Sequence, residues 1–192
     1  MRVITGTARG RRLRTLDGND VRPTTDRVKE AVFSVIQFEI EGRRILDLFA
    51  GSGQMGIEAL SRGASEAVFV DSSAQSIAVV RENLRACGLN GAAVVIQGDA
   101  LSYLAPRAGR RDFDYAFLDP PYGRGILQSA LPAVASVVKP GGAIICESPA
   151  DETLPESIGD FVIYRHYRYG RIKVTFYHVP HGDESSDGGD DE

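Results

Sequence analysis

Between residues 45 and 179 the chain keeps a rhythm that admits a small set of folds. Five short apolar runs, at 45–48, 67–70, 93–97, 115–118 and 143–146, are separated by segments of helical period at about 54–62, 73–87 and 125–138. A strand covered on both faces reads as an unbroken apolar run, and parallel neighbours need a crossover long enough to hold a helix. The alternation therefore predicts an α/β domain with a mostly parallel sheet and helices on both of its faces. The ending departs from the pattern: residues 161–169 and 171–178 are strand-like runs that meet at Gly170, so the sheet is expected to reach seven strands with an antiparallel last one.

Ahead of this region lies an arginine-rich lead. Two short strand candidates, 2–5 and 12–15, joined through Gly6-Thr7-Ala8-Arg9-Gly10, suit a β-hairpin. Val28, Ala31, Val32, Val35 and Ile36 then recur at helical spacing, with Thr24 or Thr25 as N-cap, so a helix is expected to run to about Ile40. The expected division is residues 1–40 as a hairpin-and-helix extension packed on the main domain, 41–180 as that domain, and 181–192 as a disordered tail.

Composition narrows the setting. At 192 residues, 43% hydrophobic and 25% charged, the chain suits one core, and about 70% of the unfolded surface can be buried at this size. Cys87 and Cys146 form no C-x-x-C pair, so neither a disulfide framework nor a zinc cluster has support. No run approaches the roughly 18 apolar residues of a membrane span, and a soluble cytoplasmic protein is expected. The net charge of -4 conceals a division, because Asp183, Glu184, Asp187, Asp190, Asp191 and Glu192 fill the tail. The lead instead holds Arg2, Arg9, Arg11, Arg12, Arg14, Arg22, Arg27 and Lys29 against Asp17, Asp20 and Asp26, a surface suited to phosphates.

The first main run ends in Asp47-Leu48-Phe49-Ala50-Gly51-Ser52-Gly53-Gln54-Met55-Gly56, where Gly51, Gly53 and Gly56 satisfy the G-x-G-x-x-G dinucleotide fingerprint. Asp71, about 18 residues past Gly53, stands where a ribose-binding acid belongs in either kind of nucleoside site. Asp47 separates the two. A carboxylate before the glycine turn repels a pyrophosphate, but it suits S-adenosylmethionine, which has no phosphate and carries an ammonium group. Gln97-Gly98-Asp99-Ala100 adds an acid for the adenine amino group and a backbone N–H for the ring, although Asp99 also reads as a helix cap.

A fourth run, 113–118, leads into Asp119-Pro120-Pro121-Tyr122. Consecutive prolines end the strand ladder and fix a rigid turn, leaving the Asp119 carboxylate and the Pro120 carbonyl as two acceptors in nearly one place. An exocyclic amino group needs such acceptors, because its lone pair is delocalised into the ring. Orientation of this kind is worth roughly 7–11 kcal/mol. Tyr122 is expected to stack on an extruded base for about 1–3 kcal/mol. The chemistry calls for no metal.

These segments resemble the bacterial small-subunit ribosomal RNA guanine-N2 methyltransferases of the RsmD type. The likeness runs over nearly all of residues 2–179 and is carried by Ile4-Thr5-Gly6, Gly10-Arg11-Arg12-Leu13, Arg22-Pro23-Thr24-Thr25-Asp26-Arg27-Val28-Lys29-Glu30-Ala31-Val32-Phe33, the glycine turn, Gly56-Ile57-Glu58-Ala59-Leu60-Ser61-Arg62-Gly63-Ala64, Asp119-Pro120-Pro121-Tyr122 and Tyr169-Gly170. The resemblance implies a Rossmann-like class I methyltransferase fold acting as a monomer on 16S rRNA in a partly or fully assembled 30S subunit. It implies that Asp47, Ala50, Gly51, Gly53, Asp71, Ser72, Asp99, Ala100 and Asp119 line the cofactor site. Asp119 to Tyr122 would hold the target amine, and Arg22, Thr24 and Arg27 would lie near substrate or the methionine carboxylate; Arg11 and Arg12, from the charge of the lead, are expected to contact the RNA. Two departures are Asp71, where the family often has glutamate, and the acidic tail. The residues alone leave open another amino-group methyltransferase, acting on adenine-N6 of DNA or RNA or on a protein glutamine, and, more remotely, a nicotinamide oxidoreductase or a noncatalytic ribosome-assembly binder.

Overall fold

The computed structural model describes residues 1–16, 23–123 and 125–180, the side chains of residues 23–25 excepted. The expectations for Arg22, for the Thr24 side chain and for the tail 181–192 lie outside the described residues. The elements run α1 (Pro23–Ile36), β1 (Arg44–Leu48), α2 (Gln54–Ser61), β2 (Glu66–Asp71), α3 (Ala74–Cys87), β3 (Ala93–Gln97), α4 (Ala100–Leu104), β4 (Phe113–Leu118), α5 (Ile126–Ala135), β5 (Val138–Pro149), β6 (Ser157–Ile158), β7 (Phe161–Tyr169) and β8 (Ile172–His178). They form one sheet in the order β3-β2-β1-β4-β5-β8-β7-β6. The first five strands of that order are parallel, and β8 inserts antiparallel between β5 and β7.

The inner strands β1, β2 and β4 are buried on both faces, as their unbroken apolar runs require, whereas the outer β3 is partly exposed. Ile45, Ala67, Phe69, Tyr115, Phe117 and Ile145 pack with α1, α2 and α3, and the Phe33 and Phe117 rings lie 5.6 Å apart. The alternate residues Leu46, Leu48, Val68, Val70, Ala116, Leu118, Ile144 and Cys146 pack with α4 and α5. This alternation fixes the register, since a slip of one residue exchanges the two faces.

Four expectations need correction. The sheet has eight strands among the described residues, the extra one being β6, whose two residues are too few to carry a period. The two arms of the lead do pair, but briefly: one antiparallel bridge, Arg2↔Arg12, with backbone hydrogen bonds from Val3 N to Arg11 O, Gly10 N to Val3 O and Leu13 N to Met1 O, in place of two full strands. Helix α1 opens at Pro23 and closes at Ile36, because proline fits a helix's first position, where its missing N–H is no loss; Thr24 and Thr25 therefore fall inside the first turn. The short helix α4 carries too few residues to show a period.

Side chains hold the lead where a ladder does not. Glu58, in α2 and 0% exposed, accepts hydrogen bonds from the backbone N–H of Ile4 at 2.8 Å and of Thr5 at 3.0 Å, and from Arg62 Nε at 2.9 Å. The equally buried Lys29 of α1 lies 3.4 Å from it and donates to the Arg2 carbonyl. Burial pulls the Lys29 ammonium below its ordinary pKa, and the charge of Glu58 opposes that. One carboxylate thus joins the lead, α1 and α2.

Candidate active site

The carboxyl edge of the parallel strands gathers the acids. Asp47 is the penultimate residue of β1, Asp71 ends β2, Asp99 follows β3 by two residues, and Asp119 follows β4 directly. The strand order β3-β2-β1-β4 sets them in the spatial order Asp99, Asp71, Asp47, Asp119, over about 15 Å at the usual strand spacing. Among the described residues none of the four has a salt-bridge partner.

Each carboxylate meets a different share of its hydrogen-bonding needs. Asp71 accepts from Gly51 N at 2.8 Å and from Ser73 N at 2.8 Å, which ties the end of β2 to the glycine turn. Asp99 caps α4, accepting from Ser102 N at 2.8 Å through Oδ1; that hydrogen bond holds its carboxyl below the usual range. Among the described residues, buried Asp47 accepts only from Gly56 N, at 2.9 Å. Loss of solvent pushes it up to about 7, and the charge of Asp71 acts in the same sense.

The glycine turn leaves β1 through Phe49, held at φ 66, a left-handed conformation that costs a residue with a bulky side chain energy. Gly51 follows at φ 53, and a Cβ built on it meets nothing within 4 Å, so the missing side chain leaves room on the open side of the turn. Gly56 has a different reason: its Cβ would lie 2.3 Å from the Phe69 ring, so it lets α2 approach the sheet. Ala50 is buried and donates to the Val70 carbonyl at 3.0 Å; Ser72 is exposed; Ala100 is the buried first residue of α4. Asn83 of α3 braces the turn from behind, donating to the carbonyls of Ser52 at 2.9 Å and Arg14 at 3.0 Å.

Beside Asp119 the structure brings up an acid that the sequence did not single out. Glu147 lies one residue beyond the last β4–β5 pairing, Leu118↔Cys146, and so abreast of Asp119. It accepts from the Tyr122 hydroxyl at 2.9 Å and fixes that exposed ring. No hydrogen bond from the described residues reaches the Asp119 carboxylate, and the residue is exposed. The loss of bulk solvent, then Glu147, then Asp47 push its carboxyl well up. Burial also raises Glu147, against the Tyr122 hydrogen bond. Glu147 left no signal because a glutamate near the end of an apolar run reads as an ordinary polar strand end.

The basic residues are distributed differently. Arg11, Arg12 and Arg27 are exposed. Arg11 acts on the Cys87 thiol at the C-terminal end of α3, about 20 Å along that helix from its start near Asp71. A groove of about 820 Å³ lined by Gln128, Pro132, Leu154, Ile158 and Phe161 lies on the α5 side, apart from the acids. Among the described residues no three His, Cys, Asp or Glu side chains converge as a metal site, and no helix is long and apolar enough to cross a membrane.

The family model described as Conserved hypothetical protein 95 matches residues 1–178. The chain is 42% identical over 180 residues to YlbH of Bacillus subtilis (strain 168), covering 92% of this chain and 98% of that protein. It is 32% identical over 183 residues to Ribosomal RNA small subunit methyltransferase D of Escherichia coli (strain K12), with 92% and 89% covered. The solved structure of Escherichia coli yhhF superposes with a TM-score of 0.80 at 31% identity, over 93% of this chain and 97% of that one. The length of these matches, together with a sheet that orders its acids along one edge, places the chain in the Conserved hypothetical protein 95 family, that of the RsmD-type methyltransferases.

Proposed function

We propose that the chain transfers a methyl group from S-adenosylmethionine to the exocyclic N2 of a guanine in small-subunit (16S) ribosomal RNA. The observation that carries this reading is the row Asp99, Asp71, Asp47, Asp119, four carboxylates on four adjacent strands with no ion-pair partner among the described residues. A pyrophosphate at this edge would meet only like charge, whereas a phosphate-free nucleoside with an ammonium group is attracted. S-adenosylmethionine, when bound, supplies a methyl already activated by a positive sulfur.

The remaining work falls to the chain's own residues. Asp47 meets the ammonium, and Gly51 leaves room for the ligand beside the backbone. Asp71 keeps lone pairs for ribose hydroxyls beyond its two N–H partners, and Asp99 Oδ2 is available to an adenine amino group. The Asp119 carboxylate and the Pro120 carbonyl accept from the two protons of the target amine and turn its lone pair toward the methyl. Asp119, with its raised pKa, is suited to take the proton that the amine sheds. Tyr122 stacks on the base, held in place by Glu147.

Ribosomal RNA as substrate is supported by the Escherichia coli relative named a small-subunit ribosomal RNA methyltransferase. We take the acting form to be a cytoplasmic monomer that uses no metal and prefers RNA within a partly or fully assembled 30S subunit. The test is methyl-labelled S-adenosylmethionine offered with naked 16S rRNA and, separately, with 30S subunits, followed by nucleoside identification. Label in N2-methylguanosine, with greater turnover on subunits, is expected. Label in methyladenosine, DNA or protein would overturn the guanine reading.

A further inference from the structure

Among the described residues of the lead, Arg27 and Lys29 lie on α1, Arg14 pairs with Glu82 of α3 behind the glycine turn, and Arg11 acts on Cys87 at the end of α3, yet RNA entering the cleft brings a phosphate with every nucleotide. A second basic segment ends on the Asp119 side of the cleft. From Tyr164 to Lys173 the chain reads Tyr-Arg-His-Tyr-Arg-Tyr-Gly-Arg-Ile-Lys, with Arg165, Arg168, Arg171 and Lys173 and no acid. It forms the end of β7, the turn at Gly170 and the start of β8. The pairings Glu147↔Val174 and Val174↔Tyr167 put Tyr167 in the same row as Glu147, two strands away, or about 10 Å. Likewise Pro149↔Ile172↔Tyr169 brings the turn with Arg171 to the edge that holds Asp119.

The face is the same as well. Tyr167 and Tyr169 pack against the core cluster that contains Phe117 and Ile145, the residues two before Asp119 and Glu147 on their strands. Arg165 lies 5.0 Å from the Tyr164 ring centre and 6.0 Å from that of Tyr167, and donates to the Tyr167 hydroxyl at 3.0 Å. Tyr164 is 51% exposed, and its ring stands 4.5 Å from that of His178; the pairings Arg165↔Phe176↔Ile145 and His178↔Ala143 set Arg165 two residues, and Tyr164 two to four, back from the Glu147 row. Strand β6 pairs only with Phe161 and Val162, which leaves the outer edge of β7 beyond Ile163 open among the described residues. Charges alone are enough to protect such an edge from strand pairing. Exposed rings interleaved with guanidinium groups are what a single-stranded nucleic acid needs, with stacking for bases and cations for phosphates.

We infer that the β7–β8 hairpin is an RNA-contact surface, which holds the strand leading away from the target base, with Arg171 at the edge of the cleft and Arg165 and Tyr164 further along β7 to meet a phosphate and stack on a base. The inference rests on the proposed RNA substrate. Its test compares wild type, Arg165→Ala/Arg171→Ala and Tyr164→Ala for binding and methylation of whichever RNA substrate the wild type accepts, across a salt series, with S-adenosylmethionine affinity and thermal midpoint as controls.

The double variant is expected to lower the salt slope of RNA binding by about 1.4 to 1.8, the share of two phosphate contacts. It should raise KM for RNA while kcat and S-adenosylmethionine affinity hold. Tyr164→Ala should weaken RNA binding about fivefold or more with the salt slope unchanged. Slopes and affinities equal to wild type, in a wild type that methylates RNA, would overturn the inference and leave the function standing. A wild type that neither binds nor methylates RNA would overturn both.

Discussion

Glu58 and Asp119 sit on the same side of the sheet and are treated in opposite ways. Glu58 has two backbone N–H groups, a guanidinium and an ammonium around one carboxylate. Asp119 has no hydrogen-bond donor among the described residues and an acid, Glu147, for a neighbour. An ionised carboxylate withdrawn from water is costly unless donors replace the water. Where the protein provides the donors, as at Glu58, the charge serves as an anchor. Where it withholds them, as at the exposed Asp119, the lone pairs stay open to a ligand that can donate to them. Asp47, with a single donor from Gly56, belongs with Asp119.

The contrast predicts effects on different observables. Glu58→Ala strips two backbone N–H groups of their acceptor and leaves Lys29 buried without its counter-charge, so stability should fall by about 3–5 kcal/mol in urea unfolding. A loss under about 1 kcal/mol would make the cluster peripheral. Asp119→Ala should do the reverse, keeping or raising the unfolding midpoint while kcat drops about 10²- to 10³-fold. Normal turnover by that variant would remove Asp119 from the mechanism.

Asp47 allows a finer division. With its carboxyl at about 7, S-adenosylmethionine affinity should weaken as pH falls below 7 and the anion that attracts the ammonium is protonated. The stability term has the opposite sense: the folded state holds the proton more tightly than the unfolded one, so this group's contribution declines as pH rises from about 4 to 7. Asp47→Asn should flatten both trends in calorimetry and thermal melts, and a pH dependence kept by the variant would assign the titration elsewhere. Glu147→Gln removes the charge beside Asp119, so the rising limb of the kcat–pH profile should move to lower pH; an unmoved limb would deny the coupling. The smallest effect belongs to Tyr122→Phe, which loses one hydrogen bond worth about 0.5–1.5 kcal/mol, or roughly two- to twelvefold in turnover. A larger loss would give the hydroxyl a role beyond positioning.

Much of the fold was legible before any coordinates. Strand β3 has the expected bounds, β1 differs from expectation by one residue at one end and β2 by one residue at each end, and β7 has the bounds expected of it. The parallel sheet and the antiparallel ending follow from runs buried on both faces and from the turn at Gly170. Asp47, Asp71, Asp99 and Asp119 were visible as candidates because each closes or follows a strand-like run, and strand ends in a parallel sheet share one edge. The glycines were legible as a group but not one by one. Only packing distances separate Gly51, beside open space, from Gly56, against Phe69.

The residues themselves, then, dictated which elements form and which acids reach the ligand edge, since periodicity and strand ends are local properties of the chain. Tertiary structure decided the spatial order Asp99, Asp71, Asp47, Asp119, the pairing of Glu147 with Tyr122, the burial of Glu58 beneath the lead, and the approach of the β7–β8 hairpin to the cleft. Each of these depends on which strand lies beside which, and on whether donors from distant segments reach a given carboxylate. No local pattern records such choices, because they are made by the sheet as a whole.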